Sequence, residues 1–171
     1  MASYTWAGFT PRVHPLAYVH PSAQLLGDVE LCEEASTWPT TVVRGDSGRI
    51  LVGARSNLQD GTICHASTGV TTTTLGVDVT VGHRVILHGC AVGNSCLIGM
   101  GAIILDNVEI GEWSFVAAGA LLTPGKKFPP RSFILGSPAR RLREVGEREI
   151  TAILHGTQSY LELTRTYRKG G

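Results

Sequence analysis

Three histidines stand in the middle of the chain, at positions 65, 83 and 88. Neutral imidazole is the commonest metal ligand, and three of them leave a fourth place open for water, the plan of a catalytic zinc site. Spacing limits how His65, His83 and His88 could meet. On a helix, His83 and His88 would lie about 140° apart and share no face. On an extended chain they would be up to about 16 Å apart, whereas two rings on one ion need their nitrogens within roughly 3.5 Å of each other. One chain does not easily bring both to the same ion; two chains side by side can, if His88 of one faces His83 of the next. Three unrelated surface or turn histidines satisfy the same spacing. His14 and His20, each followed by proline, and His155 read as structural or exposed.

The elements that must hold these residues repeat. From Val92 an aliphatic residue returns every six positions, at Ile98, Ile104, Ile110, Val116 and Leu122, and four places after each of the first five stands Cys96, Ala102, Val108, Ser114 or Ala120. The same template fits Val19, Leu25, Leu31, Thr37 and Val43, then Val52, Leu58 and Cys64, then Val81 and Leu87. Six steps along a helix turn through about 600° and would scatter these side chains to three sides. Six is a multiple of the strand period of two, so short strands joined by turns keep every sixth side chain pointing inward. Three such strands close one triangular coil, and stacked coils share an aliphatic column.

Residues 13–125 therefore read as a hexapeptide-repeat parallel β-helix, within a β-helix domain of residues 1–125. The repeat slips three times: Val43 to Val52 is nine residues, Cys64 to Val81 seventeen, and Leu87 to Val92 five. These slips predict irregular loops around Arg44-Gly45-Asp46 and over Ala66 to Asp78. A linker is expected over 126–143, rich in Pro and Gly. A C-terminal segment, 144–171, follows, in which Ile150, Ile153, Leu154, Thr157, Leu161, Thr164 and Tyr167 recur at three and four. That spacing predicts an amphipathic helix over about 144–168, lying against the solenoid of its own chain or of a neighbour.

Composition narrows the function. Of the 171 residues 43% are hydrophobic and 17% charged, enough apolar content for one continuous core. Fifteen Lys plus Arg against fourteen Asp plus Glu give a net charge of +1, with no field to draw the protein to nucleic acid or an anionic membrane. Residues 85–105 hold no charged side chain apart from any His charge, but His88, Asn94, Ser95 and four glycines argue against a membrane span. With no basic, apolar leader at the start, a cytoplasmic location is expected. Cys32, Cys64, Cys90 and Cys96 then read as reduced, core-filling residues.

Val43-Arg44-Gly45-Asp46, Ser56-Asn57-Leu58-Gln59-Asp60-Gly61, Cys64-His65, Val81-Gly82-His83 and Leu87-His88-Gly89-Cys90 together resemble the gamma-class carbonic anhydrases. The similarity runs from about Pro11 to Arg143 and includes the exit Gly136-Ser137-Pro138-Ala139. It implies a left-handed parallel β-helix with a C-terminal α-helix, against the usual right-handed crossover, and a homotrimer with metal sites between subunits. His65 and His88 of one subunit and His83 of its neighbour would bind zinc, with iron or cobalt also suited to three imidazoles. The resemblance assigns Arg44 and Asp60 to an ion pair that ties subunits together, with Asp46 beside it. Gln59, and in the terminal helix Tyr160, would orient a metal-bound hydroxide attacking carbon dioxide to give bicarbonate. Two departures stand out: Asp46 is followed by Ser47-Gly48, and no acidic residue follows His65 until Asp78. A proton shuttle is therefore missing or replaced, and slow or conditional hydration is expected.

The repeat is shared with acyltransferases, so two other functions compete. One is transfer or hydrolysis of the acyl group of a coenzyme A thioester, for which an acyltransferase needs one unmetallated histidine as general base. The other is a non-catalytic scaffold trimer.

Overall fold

The computed structural model describes residues 2–169. The chain winds as a left-handed parallel β-helix of three faces, closed by one C-terminal helix. The first face stacks Tyr18–Val19, Ser36–Thr37, Asn57–Leu58, Thr80–Val81, Leu97–Ile98, Phe115–Val116 and Ser132–Gly136. Onto the second face fall Ile63–His65, Ile86–His88, Ile103–Ile104 and Leu121–Leu122, and onto the third Thr73–Leu75, Ala91–Val92, Glu109–Ile110 and Lys127–Phe128. Two long strands, Gln24–Leu31 and Val42–Val52, turn the corner from the second face to the third and join them. Gly27 and Gly45 make that corner possible: a Cβ on Gly27 would lie 2.5 Å from the Gly45 carbonyl oxygen, and Gly27 has φ of +74°.

Every sixth residue points inward, as the period of six requires. Leu25, Leu31, Val43, Leu58, Leu87, Ile98, Ile104, Val116 and Leu122 are fully or almost fully buried and belong to one continuous core. Burying each such side chain contributes roughly 1.5–3 kcal/mol. Cys64, Cys90 and Cys96 fill the same core as free thiols, and burial pushes Cys90 and Cys96 up to about 12, which leaves them unreactive.

The solenoid continues past residue 125. Phe128 and Ile134 carry the six-residue step onward from Leu122 and are buried. Phe133 stacks on Phe115 at 5.7 Å, so the stretch expected as a linker contains two further strands of the prism. Ala139–Glu144 then folds back antiparallel on Ser132–Gly136 and closes that end. Sequence periodicity hid this because an aromatic replaces the aliphatic and Pro129-Pro130 occupies the turn.

Helix α1 (Glu147–Arg168) lies on the first face, burying Ile153, Thr157, Leu161 and Thr164. Leu154 and Tyr167, expected on the buried stripe, are about half exposed. Gly156 lets the helix approach closely, since a Cβ there would meet the Thr80 hydroxyl at 3.1 Å. Trp38 anchors the helix end through edge-on contacts with Tyr160 and Tyr167, both at 5.2 Å. Among the described residues no helix is long and apolar enough to cross a membrane.

Candidate active site at the two ends of one face

The slips in the repeat decide which side chains meet. Coils pair residues 18 positions apart where the repeat is regular, as with Leu97 and Phe115. Ser36 pairs with Asn57, 21 on, Asn57 with Thr80, 23 on, and Thr80 with Leu97, 17 on. The five extra residues before Thr80 form the loop between His65 and Thr73. Two residues 23 apart across that loop consequently stack on neighbouring coils, and two such pairs, His65 with His88 and Asp60 with His83, bracket the second face.

The far end, where the second face turns into the third, is closed. His65 Nδ1 lies 3.2 Å from His88 Nε2. The outer nitrogens meet carboxylates: His65 Nε2 to Asp46 Oδ1 at 3.0 Å, and His88 Nδ1 to Asp106 Oδ1 at 3.1 Å. Each outer nitrogen donates its proton to a carboxylate, so a hydrogen bond between the rings requires a third shared proton. Burial pushes the Asp46 carboxyl up, but hydrogen bonds from Arg44 and His65 outweigh it and hold the group below its usual range. Asp106 is likewise pushed up by burial and brought lower still by the Thr71 hydroxyl, the nearby His88 and the Ser67 hydroxyl. The hydroxyls of Thr71 and Ser67 donate to Asp106 at 2.9 and 3.2 Å, which ties the inserted loop to the next coil.

The near end, where the first face turns into the second, is open. Here Asp60, His83 and Met100 occupy the same place on successive coils, each just before a residue of positive φ, namely Gly61, Arg84 and Gly101. The backbone ladder runs through them, Arg84 N–H donating to Asp60 O and Gly101 N–H to His83 O, both at 2.9 Å. His83 Nδ1 sits 3.0 Å from Asp60 Oδ2, and the imidazole is 43% exposed. The carboxylate favours the tautomer with the proton on Nδ1, which leaves the Nε2 lone pair free and facing outward. Tyr160 stands close to this pair: burial first, and then the charge of Asp60, push its phenol up, so it stays a neutral O–H.

A cleft opens beside the near end, between α1 and the first face. Its volume is about 470 Å³, and Gln59, Thr80, Gly82, Met100, Arg148 and Ala152 are among its walls. Gln59 is almost fully buried and donates to Asn57 Oδ1 at 3.3 Å, and Asn57 in turn donates to Thr80 Oγ1 at 3.0 Å.

The expected site residues are thus divided within one chain. Arg44 pairs with Asp46 at 2.6 Å, while Asp60, its expected partner, faces His83. His83 stands at the opposite end of the second face from His65 and His88. Among the described residues, no group of three His, Cys, Asp or Glu is placed to hold a metal ion. Asp106 and the Ser67–Thr71 latch were not foreseen. The signal was present only as an approximate offset, since Asp106 is 18 after His88, the regular coil length, whereas the neighbouring ladder pair Leu87 and Ile104 is 17 apart.

Comparison with known proteins corrects the functional expectation. The bacterial transferase hexapeptide family, six repeats, matches residues 89–124. Over 170 residues, 99% of this chain and 85% of the relative, the sequence is 42% identical to the carnitine operon protein CaiE of Salmonella agona. A crystal structure of a candidate acetyltransferase from Bacillus cereus superposes with a TM-score of 0.95 at 38% identity, covering 98% of this chain and 97% of that one. A variant of the N-acyltransferase AntD from Bacillus cereus, solved with dTDP and coenzyme A, shares the fold alone, with a TM-score of 0.62 at 15% identity over 91% and 90% of the two chains.

These relatives overturn the carbonic anhydrase reading, and with it carbon dioxide as substrate, the lyase assignment and zinc as cofactor. The motifs that carried the gamma-class resemblance occupy corners and face-ends of a scaffold that hosts several chemistries, so they report the scaffold before the reaction. The chain belongs to the hexapeptide-repeat family of the CaiE proteins, on the left-handed β-helix scaffold of the hexapeptide acyltransferases.

Proposed function

We propose that this protein transfers an acyl group from a coenzyme A thioester to a nucleophilic acceptor, with His83 as the general base. The observation that carries the reading is the Asp60–His83 pair, 3.0 Å apart, with the second ring nitrogen free beside a cleft. His83 Nε2 would take the proton of the acceptor O–H or N–H as that atom attacks the thioester carbonyl. As the tetrahedral intermediate collapses, the C–S bond breaks and the thiolate leaves with the proton from His83. Asp60 keeps the ring oriented and stabilises its protonated form, while Tyr160 offers a neutral O–H to the oxygen that becomes negative. The kinship with the candidate acetyltransferase, at 38% identity over nearly the whole chain, supports this class. Where water takes the acceptor's place, the same base would give thioester hydrolysis.

The test is release of free thiol from acetyl-CoA and longer acyl-CoA esters, with and without amine and alcohol acceptors. Transfer to an acceptor, or hydrolysis without one, is expected; inertness toward every thioester would remove the reading.

The second face supports a homotrimer. Val42, Ile63, Ile86, Ile103 and Leu121 stack outward in register, and Ile63 is 42% exposed. An apolar ladder of this kind favours cover by a second copy, and three prisms meeting by such faces close a ring. Light scattering is expected to give three chain masses for the native protein and a smaller species for Ile63→Glu.

A further inference from the structure

The cleft beside His83 has a pattern of walls that selects its occupant. It lies within the size range of small-molecule sites, roughly 300–1,000 Å³. Leu97, Ile98, Met100 and Ala152 make it apolar along its length. Two polar groups interrupt the apolar lining. The Gln59 carboxamide gives its N–H to Asn57, while its Oε1 has no hydrogen-bond partner among the described residues. The Thr80 hydroxyl accepts from Asn57 and keeps its own proton uncommitted. An acceptor and a donor side by side in an apolar channel match one secondary amide, whose N–H and C=O they would satisfy. At the rim, exposed Arg148 makes no ion pair with the described residues, and His155 stands about two helical turns further on.

We propose that this cleft receives the pantetheine arm of the acyl donor, with Gln59 and Thr80 holding one of its amides and Arg148 meeting the phosphates outside. The proposal rests on the acyl-transfer reading and gives that site its donor pocket. An arm with aliphatic links and two amides fills the channel and pairs both polar groups, whereas a plain hydrocarbon chain would bury Gln59 Oε1 without a partner. The polarity of the cleft also gives the arm a direction. Gln59, Gly82 and Met100 line the cleft beside the corner that carries Asp60 and His83, so we take that end as the one at the base and exposed Arg148 as the other. The thioester carbon is delivered to His83, and the nucleotide stays in solvent.

Titration calorimetry of the full chain with coenzyme A and with pantetheine tests this. Ala152→Phe, which fills the channel, is expected to weaken both ligands at least about tenfold. Gln59→Leu removes the amide acceptor and is expected to weaken both about fivefold. Arg148→Glu is expected to weaken coenzyme A about tenfold and leave pantetheine unchanged, because pantetheine has no phosphate. Arg148 is exposed in the first turn of α1, where an acidic residue suits the helix dipole, so its variant stays folded even if Ala152→Phe does not. Binding unaffected by both Ala152→Phe and Arg148→Glu, or no binding of either compound, overturns the proposal. The two readings fail separately: ligands that bind in the cleft while no thioester is turned over refute the acyl-transfer reading and leave the pocket standing, and turnover with a KM indifferent to these variants does the reverse.

Discussion

The two ends of the second face are built by the same device and do different things. In each, the five-residue insertion sets two residues 23 apart onto neighbouring coils, so that a histidine lands on a partner. At the far end the partner is another histidine: the two inner nitrogens face each other at 3.2 Å, and two carboxylates occupy the outer ones. At the near end the partner is a carboxylate on one side only, and the other nitrogen is open, with a cleft beginning at the neighbouring Gly82 and Met100. The proposed base needs a lone pair open to solvent and room for its substrate, and the near end offers both. The far end does structural work, since Asp106 draws His88, Thr71 and Ser67 together and fastens the inserted loop.

The contrast can be broken at the glycines that follow each histidine or its partner. Gly89, after His88, has φ of +62°, and a Cβ there would lie 2.0 Å from Asp106 Oδ1 and 2.3 Å from Thr71 Oγ1. Gly61, after Asp60, has φ of +70°, but its Cβ would meet nothing nearer than 3.4 Å. Gly89→Ala is expected to cost about 3 kcal/mol or more, from backbone strain and the broken latch together, and Gly61→Ala only about 1 kcal/mol from strain alone. Urea unfolding of the two variants checks this; equal losses would mean that the far end is not locked as described.

Asp106→Asn sharpens the same contrast with a smaller effect. It keeps the shape and removes the charge that three donors address, at an expected cost of about 1.5–3 kcal/mol near neutral pH. The sign with pH follows from its carboxyl being held below the usual aspartate value. A group depressed on folding contributes stability above its unfolded value and loses it as pH falls through the folded one. The gap between wild type and Asp106→Asn is therefore widest near neutrality and closes as the solution is acidified below the usual aspartate range. A gap independent of pH would remove the ionised latch.

Much of the fold was legible because a solenoid writes its period directly into the sequence. The columns from Val92 to Leu122 and from Leu25 to Val43 are buried as the spacing required, with Val19 partly buried against the core. Legibility failed where the run was interrupted: Phe128 breaks the aliphatic column before Ile134, and Leu75, inside the long slip, supplies the third face. The site was legible in its residues and not in its grouping. His65, His83, Asp60 and Gln59 were all singled out, but which of them meet depends on coil offsets of 21, 23 and 17, which emerge only when the slips are placed in register. The chemistry was the least legible part, because the motifs that suggested a metal site sit at corners of a scaffold shared with the candidate acetyltransferase.

The claim on which the account turns is that the open histidine works and the closed pair does not. Acyl transfer from acetyl-CoA, or from the best thioester found, measured in parallel for His83→Ala and His88→Ala, tests it most directly. The account predicts a loss of about 10²–10⁴-fold for His83→Ala, the usual worth of a positioned general base, with His88→Ala within about tenfold of the native rate once matched for folded protein. Retained transfer by His83→Ala, with activity abolished in folded His88→Ala, would contradict it.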